Sequence, residues 1–288
     1  MRGKIPLVSC LIAGVLGVGA GAWPEIRSQS MSGSDGPSLR SRLAADVADQ
    51  QWERPKPGTW TLPVKSPDGL PTVINQIKTQ DKVVFLTIDD GWEHDPGFVD
   101  IVRQQKVPIL TFLTNDAAKG HYEYFWALKH AGSQLENHTL HHPNMAVLPL
   151  DRQKKEICET GDIIAAQYGR RPQIFRPPFG SFNQLTRQAA AACGIKSILI
   201  WSAEFYNGTK SPQGVHNAFA RADGGTGFRA GDIMLMHYRP GLAKDFQTVL
   251  GWVRQQGFRP AAIQNYLPVS LGGNAPDQQP AGTPVKTG

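Results

Sequence analysis

The chain has 288 residues, 40% of them apolar and 19% charged, which makes it an ordinary globular protein with enough apolar material for a proper core. The length allows one large or two small domains. Thirty Lys and Arg against 24 Asp and Glu give a formal charge of +6, and no basic run points to nucleic acid.

The N-terminus, Met1-Arg2-Gly3-Lys4, is followed by an uncharged stretch over residues 5–23 in which Ala20-Gly21-Ala22 forms a small-residue cleavage site. Residues 1–22 are therefore expected to be an export signal, which places the protein outside the cytoplasm, secreted or in the cell envelope. An uncleaved N-terminal anchor is the alternative and the only membrane association foreseen. Without Arg2 and Lys4 the charge falls from +6 to +4, a mild excess that suits an acidic envelope polymer. Two cysteines then remain, Cys158 and Cys193, each in an expected helix. Export permits a disulfide between them, and two buried free thiols are the equal alternative.

Residues 23–80 are rich in Ser, Gly and Pro and read as a linker or wrapping segment, with a short helical candidate at 39–52. From residue 81 strands and helices alternate. Strands are expected at 82–89, 108–114, 134–137, 173–176, 196–201, 232–237 and 260–263. Helices are expected at 96–105, 121–131, 151–168, 183–193 and 243–256, with a further candidate at 213–222. About seven βα repeats suggest a barrel of parallel strands over residues 81–265, and Gly132, Gly194 and Gly257 fit left-handed helix caps. The tail, 266–288, is Gly, Pro and Gln and is expected to be disordered.

The first strand, Val83-Val84-Phe85-Leu86-Thr87-Ile88, ends in Asp89-Asp90 before Gly91 turns the chain away. Ligands of α/β folds sit at the carboxyl ends of strands. Two adjacent acids do not fit the dehalogenase-type phosphatases, which need an acid, a spacer and a second acid. About fifty residues on, His138 and His142 are four apart, a spacing that on a helical turn sets both imidazoles on one face. With one carboxylate they make a His2Asp set that leaves positions open for water and substrate, as in catalytic zinc sites. His141, three from His138, and His94, just after the acids, are alternative ligands. Further polar residues end later strands: Arg176, Glu204 just after Trp201, and His237. Recurrence at one rim points to a shared site.

Thr87-Ile88-Asp89-Asp90-Gly91, His138 to His142 with Pro143, Arg176-Pro177-Pro178-Phe179-Gly180 and Leu235-Met236-His237 resemble, in order, four of the five motifs of the NodB-homology polysaccharide deacetylases, carbohydrate esterase family 4. The resemblance covers roughly residues 81–265 and implies a distorted (β/α)7 barrel. It implies a divalent metal, zinc in the first place with cobalt or another divalent ion able to serve, held by Asp90, His138 and His142. It implies Asp89 as general base toward a metal-activated water, Arg176 as its orienting partner and His237 as general acid. The oxyanion donor is the backbone N–H at Phe179, and Trp201 and Leu235 are candidates for the pocket around the acetyl methyl. Trp92, Tyr122 and Tyr238 are candidate sugar-stacking faces. The fourth motif departs: where the family has an aspartate pair and tryptophan, this chain reads Trp201-Ser202-Ala203-Glu204-Phe205-Tyr206-Asn207-Gly208, leaving Glu204 as the possible substitute acid.

Together with the export signal, the resemblance implies a secreted, metal-dependent hydrolase that removes N-acetyl groups from an acetylated glycan polymer of peptidoglycan or chitin type, and a monomer is expected. An O-acetyl esterase on xylan-like glycans is the near alternative. A glycan-binding wall protein that has lost the chemistry is the distant one.

Overall fold

The computed structural model describes residues 66–206 and 219–267. The predicted signal, most of the linker segment, part of the 213–222 helical candidate, Asn207 and nearly all of the tail lie outside the described residues.

The architecture is α/β. Ten strands form one mostly parallel sheet: β1 (Thr72–Ile74), β2 (Val83–Asp90), β3 (Ile109–Leu113), β4 (Ser133–Asn137), β5 (Ile174–Phe175), β6 (Ser197–Leu199), β7 (Ala203–Phe205), β8 (Phe219–Arg221), β9 (Asp232–His237) and β10 (Arg259–Pro260). The helices are α1 (Pro96–Gln105), α2 (Asn115–Ala118), α3 (Tyr122–Ala131), α4 (Leu150–Tyr168), α5 (Gln184–Ala192) and α6 (Leu242–Gln255). The strand order is β1-β6-β5-β4-β3-β2-β9-β7-β8, with β10 also on β2. All pairings are parallel except the β7–β8 hairpin. This is the distorted (β/α)7 barrel that the repeat count and the resemblance imply.

Closure comes from residues 72–77, inside the stretch read as linker or wrapping segment. β1 pairs with β6, and the chain then bridges from Gln76 to Asp232 at the foot of β9, where the Ile77 N–H donates to the Gly231 carbonyl at 2.9 Å. The helical expectation at 213–222 is corrected where it can be seen. Phe219–Arg221 is a strand, because its backbone pairs with β7.

Period-two alternation sorts β2 into two cores. Val84, Leu86 and Ile88 face the helices, packing in one cluster with Phe98, Phe125, Leu128, Phe246 and Val249. Val83 and Phe85 face the barrel interior with Phe112, Ile174, Leu199 and Ile233. Thr87 and Asp89 share the parity of this inner face, so Asp89 ends a column of side chains pointing into the barrel.

Helix ends follow their local chemistry. Pro96 opens α1 behind Asp95, whose Oδ1 accepts the Gly97 N–H at 2.8 Å, and Asn183 with Thr186 forms a capping box on α5. The predicted stops Gly132, Gly194 and Gly257 all carry positive φ, 120°, 82° and 76°. Cys158 of α4 and Cys193, just past α5, form a disulfide with Cα atoms 4.9 Å apart, which decides the question the sequence left open. Among the described residues no helix is long and apolar enough to cross a membrane.

Candidate active site and metal centre

The two acids at the end of β2 occupy different environments. Asp89 is buried, and its Oδ1 accepts a hydrogen bond from Arg176 Nη1 at 2.7 Å. Arg176 itself is fully buried. Its Nη1 also reaches Thr87 Oγ1 at 2.7 Å, its Nε reaches the Leu199 carbonyl at 3.0 Å, and its guanidinium lies 4.2 Å over the Phe112 ring. A planar fork held at several points positions one carboxylate oxygen rigidly. The other oxygen, Oδ2, lies 3.7 Å from His138 Nε2. Burial pushes the Asp89 carboxyl above its ordinary range, opposed by the charges of Arg176 and His237.

Asp90 should face outward by strand alternation, but its backbone is left-handed, φ 81°, and its carboxylate meets the histidines. Its Oδ1 lies 3.2 Å from His142 Nε2 and 3.6 Å from His138 Nε2, and Oδ2 pairs with Arg239 at 2.9 Å. Burial pulls the Asp90 carboxyl up, yet the adjoining imidazoles of His142, His138 and His237 hold it well below the ordinary carboxylate range. The ligand atoms of Asp90, His138 and His142 all lie within 4.8 Å of one another.

The sequence reading of a helical turn carrying both histidines is corrected. Residues 138–142 are an irregular loop in which Thr139 and His142 have positive φ, 77° and 56°. What brings the imidazoles together is a set of clamps. The Thr139 N–H donates to Asn137 Oδ1 at 3.0 Å, and Thr114 Oγ1 donates to the His138 carbonyl at 3.1 Å. The buried Glu156 of α4 accepts the N–H groups of Leu140 and His141, each at 3.0 Å. Glu156 also takes the His141 imidazole at 2.8 Å, so His141 is engaged away from the ligand cluster. His94 is likewise no member of it; its ring stacks on His121 at 3.7 Å.

Two observations test whether a divalent ion fits. Asp90 Oδ1 is buried without a hydrogen-bond partner, an expensive state for a carboxylate oxygen that faces no ligand. His138 Nδ1 is 2.6 Å from the Arg176 carbonyl, so Nδ1 carries the proton and Nε2 presents its lone pair to the cluster. Burial lowers the His138 imidazole to about 3, keeping it neutral as a ligand must be. Two imidazole nitrogens and one carboxylate oxygen are a catalytic donor set for zinc and similar ions. The residues fit.

His237 is the register partner of Asp89 on the adjacent strand, so the residues expected as general base and general acid stand side by side. Burial lowers the His237 imidazole, with Asp89 and Asp90 pulling the other way. Leu235 is buried two residues before it on the same face of β9, opposite Thr87. Trp201 is half-buried and packs on Gly180, where an added Cβ would meet its ring at 3.1 Å. Phe179 has φ 60°, is 68% exposed, and its ring centroid lies 4.7 Å from that of His142. Glu204 on β7 accepts hydrogen bonds from Tyr206 and Trp201 and feels the charges of Asp89 and Arg176; burial raises its carboxyl. Of the stacking candidates, Trp92 is 53% exposed, whereas Tyr122 packs against the core and Tyr238 is fully buried with its hydroxyl on Thr111 Oγ1 at 2.9 Å. Tyr238 is therefore a core residue, because its neighbours supply both apolar packing and a polar partner.

Residues that the sequence reading gave no role are Glu156, Arg239 and Thr87. A carboxylate at 156 on the buried stripe of α4, among Gln153, Ile157 and Thr160, was the available signal. Arg239 carried none beyond its closeness to His237. Of the five non-glycine residues with positive φ among the described residues, Asp90, Thr139, His142 and Phe179 belong to this site, and Lys106 caps a helix. Strain concentrated in this way marks functional geometry.

Comparison with known proteins agrees. A profile of the polysaccharide deacetylase family matches residues 76–198. An uncharacterized protein of Streptomyces coelicolor is 35% identical over 202 residues, 69% of this chain and 78% of that protein. A peptidoglycan-N-acetylglucosamine deacetylase of Bacillus cereus is 28% identical over 162 residues, 55% of this chain and 56% of that one, so the match spans about half of the relative's length. Among solved structures, a carbohydrate esterase family 4 pseudoenzyme from Bacillus anthracis shares the fold, with TM-score 0.57 and 21% identity over 68% of this chain and 69% of its own. The chain belongs to the polysaccharide deacetylase family of enzymes, the NodB-homology carbohydrate esterases of family 4.

Proposed function

We propose that this protein acts outside the cytoplasm as a metal-dependent deacetylase, removing N-acetyl groups from an amino-sugar polymer of peptidoglycan or chitin type. The observation that carries the reading is the convergence of Asp89, Asp90, His138, His142, Arg176 and His237 at one end of the barrel. The Bacillus cereus relative's name and the positive charge of the chain support the substrate class.

Asp90, His138 and His142 would hold the ion, which when bound polarises the acetyl carbonyl and acidifies the attacking water. The residues of this chain do the rest. Arg176 fixes Asp89 Oδ1 and leaves Oδ2 on the ligand-cluster side, where it takes the proton of the attacking water. The backbone N–H of Phe179 donates to the oxyanion that develops at the carbonyl. His237, beside Asp89, gives its proton to the departing amine. The buried Leu235 and half-buried Trp201 exclude water around the acetyl methyl.

The test is acetate release from N-acetylglucosamine oligomers, peptidoglycan and acetylated xylan, by protein stripped of metal and resupplied with zinc or cobalt. Metal-restored release with an equal yield of free amine is the expected result. Acetate without amine makes the protein an O-acetyl esterase, and no release by protein loaded with metal favours a glycan-binding protein or a substrate outside this panel.

A further inference from the structure

We propose that Arg239 is a positioning residue for the metal centre: it occupies one oxygen of Asp90 so that the other alone is presented to the ion. The proposal rests on the reading of Asp90, His138 and His142 as metal ligands.

The two oxygens of Asp90 are treated differently by the fold. Oδ2 is 2.9 Å from Arg239 Nη2, whereas Oδ1 has no hydrogen-bond partner and faces both imidazoles. Arg239 is anchored independently of the ion. Its Nη1 donates to the Tyr238 carbonyl at 3.1 Å. Tyr238 is in turn pinned, by its N–H to the Asp89 carbonyl at 3.1 Å and by its hydroxyl to Thr111, with the ring fully buried. The guanidinium therefore reaches Asp90 from a rigid backbone point and fixes the rotation of a carboxylate whose own backbone is left-handed. Groups that orient a ligand in this way raise metal affinity by holding it in the binding geometry.

An arginine beside a dication has a second effect of opposite sign. As a like charge it repels the ion, so removing a guanidinium that did nothing else would tighten binding. The sign of the change separates the two roles.

The experiment is Zn2+ affinity of the full chain, measured by competition with a chromophoric chelator, for wild type, Arg239→Gln, Arg239→Lys and Asp90→Ala. Arg239→Gln should raise the Zn2+ Kd by about 10- to 100-fold, the range seen when a partner of a metal ligand is lost. Arg239→Lys should lie nearer to wild type, because Nζ can still bond Oδ2, though without the second grip on Tyr238. An unchanged or tighter Kd in Arg239→Gln, with Zn2+ binding lost in Asp90→Ala, overturns the positioning role and leaves the metal site intact. Wild-type affinity in Asp90→Ala removes Asp90 as a ligand and overturns both.

Discussion

Asp89 and Asp90 are neighbours in sequence with opposite surroundings, and their substitution should separate two functions. Asp89→Asn should retain zinc and lose about 10²- to 10⁴-fold in kcat, since Arg176 still has an oxygen to bind but no base remains. Asp90→Ala and His142→Ala should fail to retain metal, because a three-donor site does not survive the loss of one donor. Metal analysis after gel filtration, beside the acetate assay, checks both. His138 gives a pH prediction for the metal-free protein. Its folded value, about 3, lies below the ordinary 6.5, so the unfolded chain binds the extra proton between those values. Its contribution to stability is full above about pH 6.5 and is lost as pH falls toward 3, by at most about 1.4 kcal/mol per pH unit. Asp89, whose carboxyl is raised, acts in the opposite sense, and comparison with His138→Gln subtracts it. Urea melts from pH 7 to pH 4.5 should show a shallower pH dependence in the variant.

The loop at residues 138–142 is where local preference and tertiary demand conflict. Two non-glycine residues in left-handed conformation cost roughly 1–2 kcal/mol each, and the loop is held in place by partners on other elements. Glu156 contributes most, accepting two backbone N–H groups and the His141 imidazole from a buried position. Glu156→Ala leaves those donors unpaired and should cost about 3 kcal/mol in urea unfolding, with weaker zinc retention although no ligand is altered. The fourth motif is also reshaped at this scale. Glu204 sits on a short strand, β7, and its carboxylate is engaged by Trp201 and Tyr206 within the charge field of Arg176 and Asp89.

At the scale of the whole molecule, the barrel is closed by a segment that precedes its first long strand. The seam is tight: a Cβ on Gly231, which has φ 79°, would lie 1.7 Å from the Ile77 carbonyl oxygen. Gly231→Ala therefore combines a left-handed backbone with a backbone clash that no rotamer relieves. It should destabilise the protein by several kcal/mol, or prevent folding, whereas Gly251→Ala, on α6 with open space around it, should be tolerated. Thermal melts of the two variants make the comparison.

The sequence by itself determined the βα alternation, because period-two strands and glycine stops are local signals. It also determined the order of the site residues and the strand ends that carry Asp89, Arg176 and His237. Tertiary structure decided the rest. It decided that His138 and His142 meet through a clamped loop instead of a helical turn, and that Tyr238 belongs to the core and Trp92 to the surface. It joined Cys158 to Cys193, and it brought Glu156 from α4 to the histidine loop and Arg239 from just beyond β9 to Asp90 of the candidate metal cluster. The physical reason is range. Hydrophobic period, caps and turn residues act over a few positions and are written locally. The partner of a buried polar group is chosen by which distant element the closed barrel brings within 3 Å of it.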